Sequence, residues 1–150
     1  MPKSEGDQDL AKRVRALEDE RDILCAVYST NHGLDNGVKD LWLDSWTDDG
    51  AFEIGRRDGT KMRNEGRAAL ERMLAGYKPT KFSKRAIVAP VITLEGDEAR
   101  VMSYFIRFDE RDMKTPFLYA FGRYTDHAVR CPDGKWRLKE RIADVEAEVG

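Results

Sequence analysis

Apolar residues at three- and four-residue spacing open the chain. Leu10, Val14, Leu17, Leu24, Val27 and Tyr28 fall on one side of a helical wheel, while Arg13, Arg15, Glu18, Glu20 and Arg21 fall mostly on the other. Asp9 can cap the start and Gly33 can end it, so the spacing predicts one long amphipathic helix with that stripe as its core face. Cys25 falls on an apolar helix face and is expected as a small core residue. Leu34-Asp35-Asn36-Gly37 is turn chemistry. A second, short helix over about 38–46 carries Leu41, Trp42 and Trp46, and Asp48-Asp49 before Gly50 reads as another turn.

The period then changes. Residues 51–55 read as a short strand, Asp58-Gly59 as a hairpin turn, and 61–65 as the returning partner. Leu70, Met73, Leu74 and Tyr77 mark a third helix over 66–77, stopped by Pro79. The second half is a meander of strands over 82–94, 99–108, 117–129 and 136–145. Glu95-Gly96-Asp97, a charged loop over 109–115 and Pro132-Asp133-Gly134 join them. Pro90 inside the first of these strands predicts a bulge or an edge. Helices first and strands last, without alternation, predict an α+β fold with an antiparallel sheet.

The chain has 150 residues, 41% hydrophobic and 36% charged, with a net charge of −2. That predicts one domain over 1–150, with residues 1–8 as a disordered tail. The charge balance gives no pull toward nucleic acid or an anionic membrane. No apolar run reaches membrane-span length, and the polar start has no leader pattern, so the expected location is cytoplasmic. Cys25 and Cys131 lack metal-type spacing and are expected as reduced thiols. Asp48-Asp49 reads as a turn rather than a metal pair, and no metal is expected. Neither a glycine-rich phosphate loop nor a serine nucleophile elbow occurs, and no cofactor is expected.

Several segments, in this order and at these spacings, carry a family likeness. They are Ile23-Leu24 through Tyr28 to Leu34-Asp35, Trp46-Thr47-Asp48-Asp49-Gly50-Ala51-Phe52, and Glu65-Gly66-Arg67-Ala68-Ala69-Leu70. Gly122-Arg123-Tyr124-Thr125-Asp126 and Asp133-Gly134-Lys135-Trp136-Arg137-Leu138 complete them. The chain resembles the SnoaL-like polyketide-cyclase branch of the nuclear-transport-factor-2-like superfamily over about 17–146. The resemblance implies a cone-like curved sheet, with about three helices from the N-terminal half enclosing a pocket at its wide end, often in a homodimer or homotrimer. The superfamily hosts dehydratases, isomerases, cyclases, oxygenase small subunits and binding proteins, so the fold does not settle the function.

By the resemblance, Asp35 stands where family enzymes keep a pocket carboxylate, which suits a general acid or base. From the residues alone it is equally a turn aspartate bonding its own backbone. Dehydratase members pair that carboxylate with a strand histidine, and this chain has Arg85 there. Arginine cannot shuttle a proton at neutral pH, but it can hold Asp35 ionised or bind a substrate oxygen. The other reading of Arg85 is a solvated strand residue beside Lys81 and Lys84. His32 lies one helical turn before Asp35 and could pair with it, or could simply sit in the last turn of the helix. His127 is expected at the surface.

Strand alternation puts Tyr119, Phe121 and Arg123 on one face and Val101, Ser103, Phe105 and Arg107 on another. With Phe105, Tyr119 and Phe121 turned inward, the expected substrate-binding set is Trp42, Trp46, Phe52, Ile87, Phe105, Arg107, Tyr119 and Phe121. Tyr28 and Tyr119 are candidate donors to a developing oxyanion. Asp35, Arg85, Tyr28 and His32 form the expected catalytic set. The resulting expectation is a cofactor-independent dehydratase, isomerase or cyclase acting on an aromatic, polycyclic or terpenoid-like substrate, with Asp35 as acid or base. The alternative is a non-catalytic ligand-binding protein or the accessory subunit of a ring-hydroxylating oxygenase.

Overall fold

The computed structural model describes residues 2, 4–78, 83–110 and 115–149. Its elements run α1 (Glu5–Asn36), α2 (Lys39–Leu43), β1 (Trp46–Gly55), β2 (Lys61–Glu65), α3 (Arg67–Gly76), β3 (Lys84–Glu95), β4 (Glu98–Glu110), β5 (Pro116–Arg130) and β6 (Trp136–Glu148). The expected helix stop at Pro79, the expected strand start at Phe82 and residues 111–114 of the expected loop lie outside the described residues.

The first helix is longer at both ends than its spacing predicts. Ser4 caps it: its hydroxyl accepts from the Asp7 amide, and the Asp7 carboxylate accepts from the Ser4 amide. Residues 5–8, expected in a disordered tail, are therefore helical. Gly33 does not end the helix. It lies inside, where the backbone of Trp42 leaves no room for a Cβ, and Gly37 in the left-handed region is the cap. The expected turn over Leu34–Gly37 is thus the last turn of α1 and its cap.

The core face of α1 differs from the expected one. Ile23, Ala26, Val27, Thr30, Asn31, Leu34 and Asp35 are buried, whereas Leu10, Val14, Leu17 and Tyr28 are 57%, 45%, 67% and 39% exposed. Cys25, expected in the core, is exposed as well. The first buried residue of the helix is Asp19, which fastens it to the sheet. Arg130 donates to both Asp19 carboxylate oxygens at 2.8 and 2.7 Å, and the Trp136 indole donates to one of them. The Arg130 bonds hold the Asp19 carboxyl below its ordinary 3.8.

The strands form one curved, unclosed sheet in the order β2-β1-β6-β5-β4-β3. With the helices it makes the α+β cone that the sequence predicts. Every neighbouring pair is antiparallel except β1 and β6, which run parallel. The sequence had predicted a turn at Asp48-Asp49-Gly50 and a helix through Trp46. Instead β1 starts at Trp46, and the three residues lie in a register shift between Trp46 and Ala51. Pro90 behaves as expected on both counts: β3 is an edge strand, and its register shifts between Val88 and Val91, with Ala89 at φ 51°.

Further bulges bend the sheet and decide which side chains face in. Tyr119 is the extra residue between the pairs Arg107–Ala120 and Phe108–Leu118. Glu146 and Lys139 are the extra residues of β6 opposite β5. At the first of these, Gly122 is obligatory, because a Cβ there would lie 2.0 Å from the Asp144 carbonyl oxygen. Trp42, Trp46, Phe52 and Tyr124 build the aromatic centre of the core, with the Trp42 and Trp46 rings 5.3 Å apart edge-on. Among the described residues no helix is long and apolar enough to cross a membrane.

Gly33→Ala is expected to destabilise the fold by about 1–3 kcal/mol in urea unfolding, although alanine is the better helix former. Asp19→Asn should cost about 1.5–3 kcal/mol at neutral pH. The Asp19 carboxyl sits below its ordinary value in the folded state, so its contribution is complete above pH 3.8 and is lost as pH falls through the folded value. The wild-type and Asp19→Asn stability curves should therefore converge in acid.

Candidate functional site

The inner surface of the cone carries two arginines, Arg141 buried and Arg85 half-buried, each matched to a carboxylate. Arg141 on β6 donates from Nε and Nη2 to the two oxygens of Asp126 on β5, at 2.7 and 2.8 Å. Its Nη1 donates to the Thr30 hydroxyl of α1, which donates in turn to the Val27 carbonyl. The Tyr124 ring covers the guanidinium at 4.2 Å, and Phe105 stacks on Tyr124 at 4.6 Å. Burial pushes the Tyr124 phenol above its ordinary value, so it stays a neutral hydroxyl.

Nearer the wide end, Arg85 of β3 meets Asp35 at the end of α1. Arg85 Nη1 lies 2.6 Å from one carboxylate oxygen, and the Arg85 backbone amide donates to the other at 2.7 Å. Nη1 also reaches the Tyr77 hydroxyl at 3.0 Å, and the guanidinium lies over the Tyr77 ring. Asn31 adds a bond from α1 to the Arg85 carbonyl. Burial opposes the charge on Arg85, but the Asp35 carboxylate and the bond to the Tyr77 hydroxyl favour it, and the guanidinium stays protonated. Among the described residues its side-chain bonds all run through Nη1, leaving Nε and Nη2 for a ligand.

Arg85 forms part of the wall of a cavity of about 90 Å³. Arg107, Tyr119, Phe52, Phe105 and Tyr124 line it too, as do Arg56 and Glu148 from the far side. Arg107 lies over the Tyr119 ring at 4.5 Å and pairs with Asp109, while its buried Nε has no partner among the described residues. Arg56 pairs with Glu148 at 3.5 Å. Each cation of the wall therefore has a carboxylate beside it. A wider cleft of about 600 Å³, between α1, α2 and the β5–β6 turn, is open to solvent and lined by Asp22, Asp40, Asp44 and Lys135. It brings no buried ion pair to a point.

The structure thus brings Asp35 and Arg85 into contact and sets Phe52, Phe105, Arg107 and Tyr119 around one cavity. The other expected site residues lie elsewhere. Tyr28 is on the outer side of α1, and His32 is exposed, so the His32–Asp35 couple does not form. Trp42 and Trp46 are buried in the core, Trp42 bonding the Leu70 carbonyl. Ile87 packs against the core edge. Phe121, expected inward, is 44% exposed on the outer face, because the bulge at Tyr119 lets Tyr119 and Ala120 both turn in. Tyr77, Tyr124, Asp126 and Arg141 were missed. Arg141 and Asp126 sit in otherwise apolar strand faces, and a charge at such a position signals a buried pair.

The comparisons with known proteins agree with this architecture. A family model described as a SnoaL-like domain matches residues 15–142. An NTF2-like protein with a cystatin-like fold from Novosphingobium aromaticivorans superposes with a TM-score of 0.79 at 22% identity, covering 95% of this chain and 92% of that one. From the same organism, a chain assigned as the beta subunit of an aromatic-ring-hydroxylating dioxygenase gives 0.73 at 23% identity, covering 91% and 94%. ActVI-ORFA from Streptomyces coelicolor gives 0.68 at 17% identity, covering 85% and 96%. Likeness at these identities shows the fold. No curated protein matches the sequence.

Asp126→Asn leaves the Arg141 guanidinium buried without its counter-charge. It should cost about 3–5 kcal/mol in chemical denaturation, and an added Arg141→Met should recover much of the loss.

Proposed function

The chain belongs to the SnoaL-like domain family, and on that footing we propose that it is a cofactor-independent enzyme of the lyase or isomerase type. Its substrate is a compact carbonyl- or phenol-bearing molecule held in the cone. The observation that carries this reading is Arg85, fixed from behind by Asp35 and Tyr77 while two of its guanidinium nitrogens have no partner among the described residues.

Charge balance argues for the kind of substrate. Arg85, Arg107 and Arg56 each have a carboxylate partner, so the cavity has little net attraction for a preformed anion. It still offers guanidinium hydrogens to an oxygen that turns negative only during reaction. Donors fixed in advance around such an oxygen stabilise the transition state more than the ground state. Elimination and double-bond isomerisation through an enolate fit that description, with Asp35 taking up the proton that leaves carbon once Arg85 Nη1 has moved from it to the substrate oxygen. A cavity of about 90 Å³ suits a single ring or a short branched chain better than the polycyclic or terpenoid-like skeleton that the family likeness first implies.

Both oxygens of Asp35 are engaged by Arg85, so its part in this arrangement is to position the guanidinium. Proton transfer by Asp35 requires Arg85 Nη1 to leave it for the substrate oxygen. Screening small enones, hydroxyketones and phenols by thermal shift, then by turnover, tests the reading. Arg85→Gln should lower kcat/KM by about 100–1,000-fold with the fold intact. With Asp35 as the positioning residue, Asp35→Asn lowers activity and the double variant is no worse than Arg85→Gln alone. Unchanged turnover in Arg85→Gln rejects the reading.

A second reading is favoured by the outer face of the sheet, where Val91, Met102, Tyr104 and Phe121 are exposed together on β3, β4 and β5. Apolar surface of this kind is what a partner covers. In this reading the chain is a non-catalytic accessory subunit, as of a ring-hydroxylating oxygenase. A second, longer polypeptide in fixed ratio in the native complex supports it, and turnover by the isolated chain excludes it.

A further inference from the structure

Before Asp19, α1 has no buried residue. Residues 5–18 project from the body as a helical arm of about 21 Å at 1.5 Å per residue. A helix of that length is marginal in water unless something packs against it. Its apolar residues are not scattered. Leu10, Val14, Leu17, Arg21, Leu24 and Tyr28 follow one another at alternating steps of four and three. That is a heptad with Leu10, Leu17 and Leu24 at d and Val14, Arg21 and Tyr28 at a. The stripe lies away from the sheet-facing residues Ile23, Val27, Thr30 and Leu34, and it continues past Asp19 along the outer side of the part of α1 anchored to the cone.

We propose that this stripe pairs in parallel with the same stripe of a second copy of this chain, forming a short two-stranded coiled coil. Residue type and charge select that occupant. Leucine at d with β-branched valine at a favours two parallel strands. In that arrangement Arg13, at g, faces Glu18 at e of the second copy, and Glu20, at g, flanks Arg21 at a. Opposite charges meet at both places, and Glu20 offsets the two Arg21 side chains that face each other at a. In the antiparallel register with full overlap, which sets Val14 against Leu24, Glu18 faces Glu18 and Glu20 faces Glu20. Like charges there oppose it. The anchored half of α1 supplies the formed turns from which the arm extends, so pairing need not nucleate a helix.

The test uses the full chain and its oligomeric state. Sedimentation equilibrium of the wild type should show a dimer, and Leu17→Glu should weaken it by at least about 30-fold in dissociation constant. Leu17 is exposed in the single chain, so the variant should keep the sheet and the cooperative unfolding of the body, with helical signal lost only from the arm. In a Cys25→Ser background, Leu17→Cys should oxidise to an intermolecular disulfide between the two copies of residue 17, located by peptide mapping against Cys25→Ser alone. A monomeric or trimeric wild type overturns the proposal. A dimer indifferent to Leu17→Glu overturns it in favour of the outer sheet face. Loss of the dimer in Leu17→Glu without the 17–17 cross-link also overturns it, because the arm then packs on some other part of its partner.

Discussion

Two guanidinium groups inside a small cone are tolerable only if each meets a carboxylate, and much of the structure around the cavity follows from that condition. The Arg141–Asp126 pair is closed off from water, its donors shared between two carboxylate oxygens and the Thr30 hydroxyl. Isolated, either charge would be prohibitive in so apolar a setting. Paired and covered by Tyr124, they fix β5, β6 and α1 at one point. The Arg85–Asp35 pair ties β3 to α1, with Asn31 bonding the Arg85 backbone carbonyl and the Tyr77 hydroxyl meeting the same Nη1. The helix is therefore held by the Arg141–Thr30 hydrogen bond, by the Asp35–Arg85 ion pair and, near the β5–β6 turn, by the Asp19–Arg130 ion pair.

This pairing also governs the chemistry available. An arginine with a carboxylate behind it keeps its charge and its direction but loses much of its pull on a free anion. What remains is a set of donors of fixed geometry on a small, largely aromatic wall. Asp35 is occupied in orienting Arg85 rather than standing free beside the cavity. In the reaction proposed above, the guanidinium supplies electrostatic stabilisation, and Asp35 can act as a base only after Nη1 has left it.

The long helix shows how one sequence can serve two surfaces. Its regular stripe from Leu10 to Tyr28 is the stronger periodic signal, yet the cone takes the other side, where Ile23, Val27 and Leu34 alternate with Thr30, Asn31 and Asp35. Hydrophobic spacing reports that a face is apolar. It does not report which neighbour will cover it, because the driving force for burial is non-directional.

The sequence by itself determined the order of elements, the α+β class and the Pro90 bulge on an edge strand, because these rest on local periodicity, turn chemistry and the family likeness; it left Asp35 open between pocket and turn and Arg85 between pocket and solvent. It also placed Phe105, Arg107 and Tyr119 near one another, since strand partners follow from a meander. The tertiary structure alone decided which faces of the strands point in. Each bulge inserts one residue and reverses the alternation beyond it, so Phe121 turned out, Tyr119 and Ala120 both turned in, and Arg141 reached the core on a strand whose unbroken alternation would have put it beside Lys139 in water. It likewise decided that Gly33 would be a contact point for Trp42 rather than a helix end, because closeness of two backbones is a property of packing and not of either segment read alone.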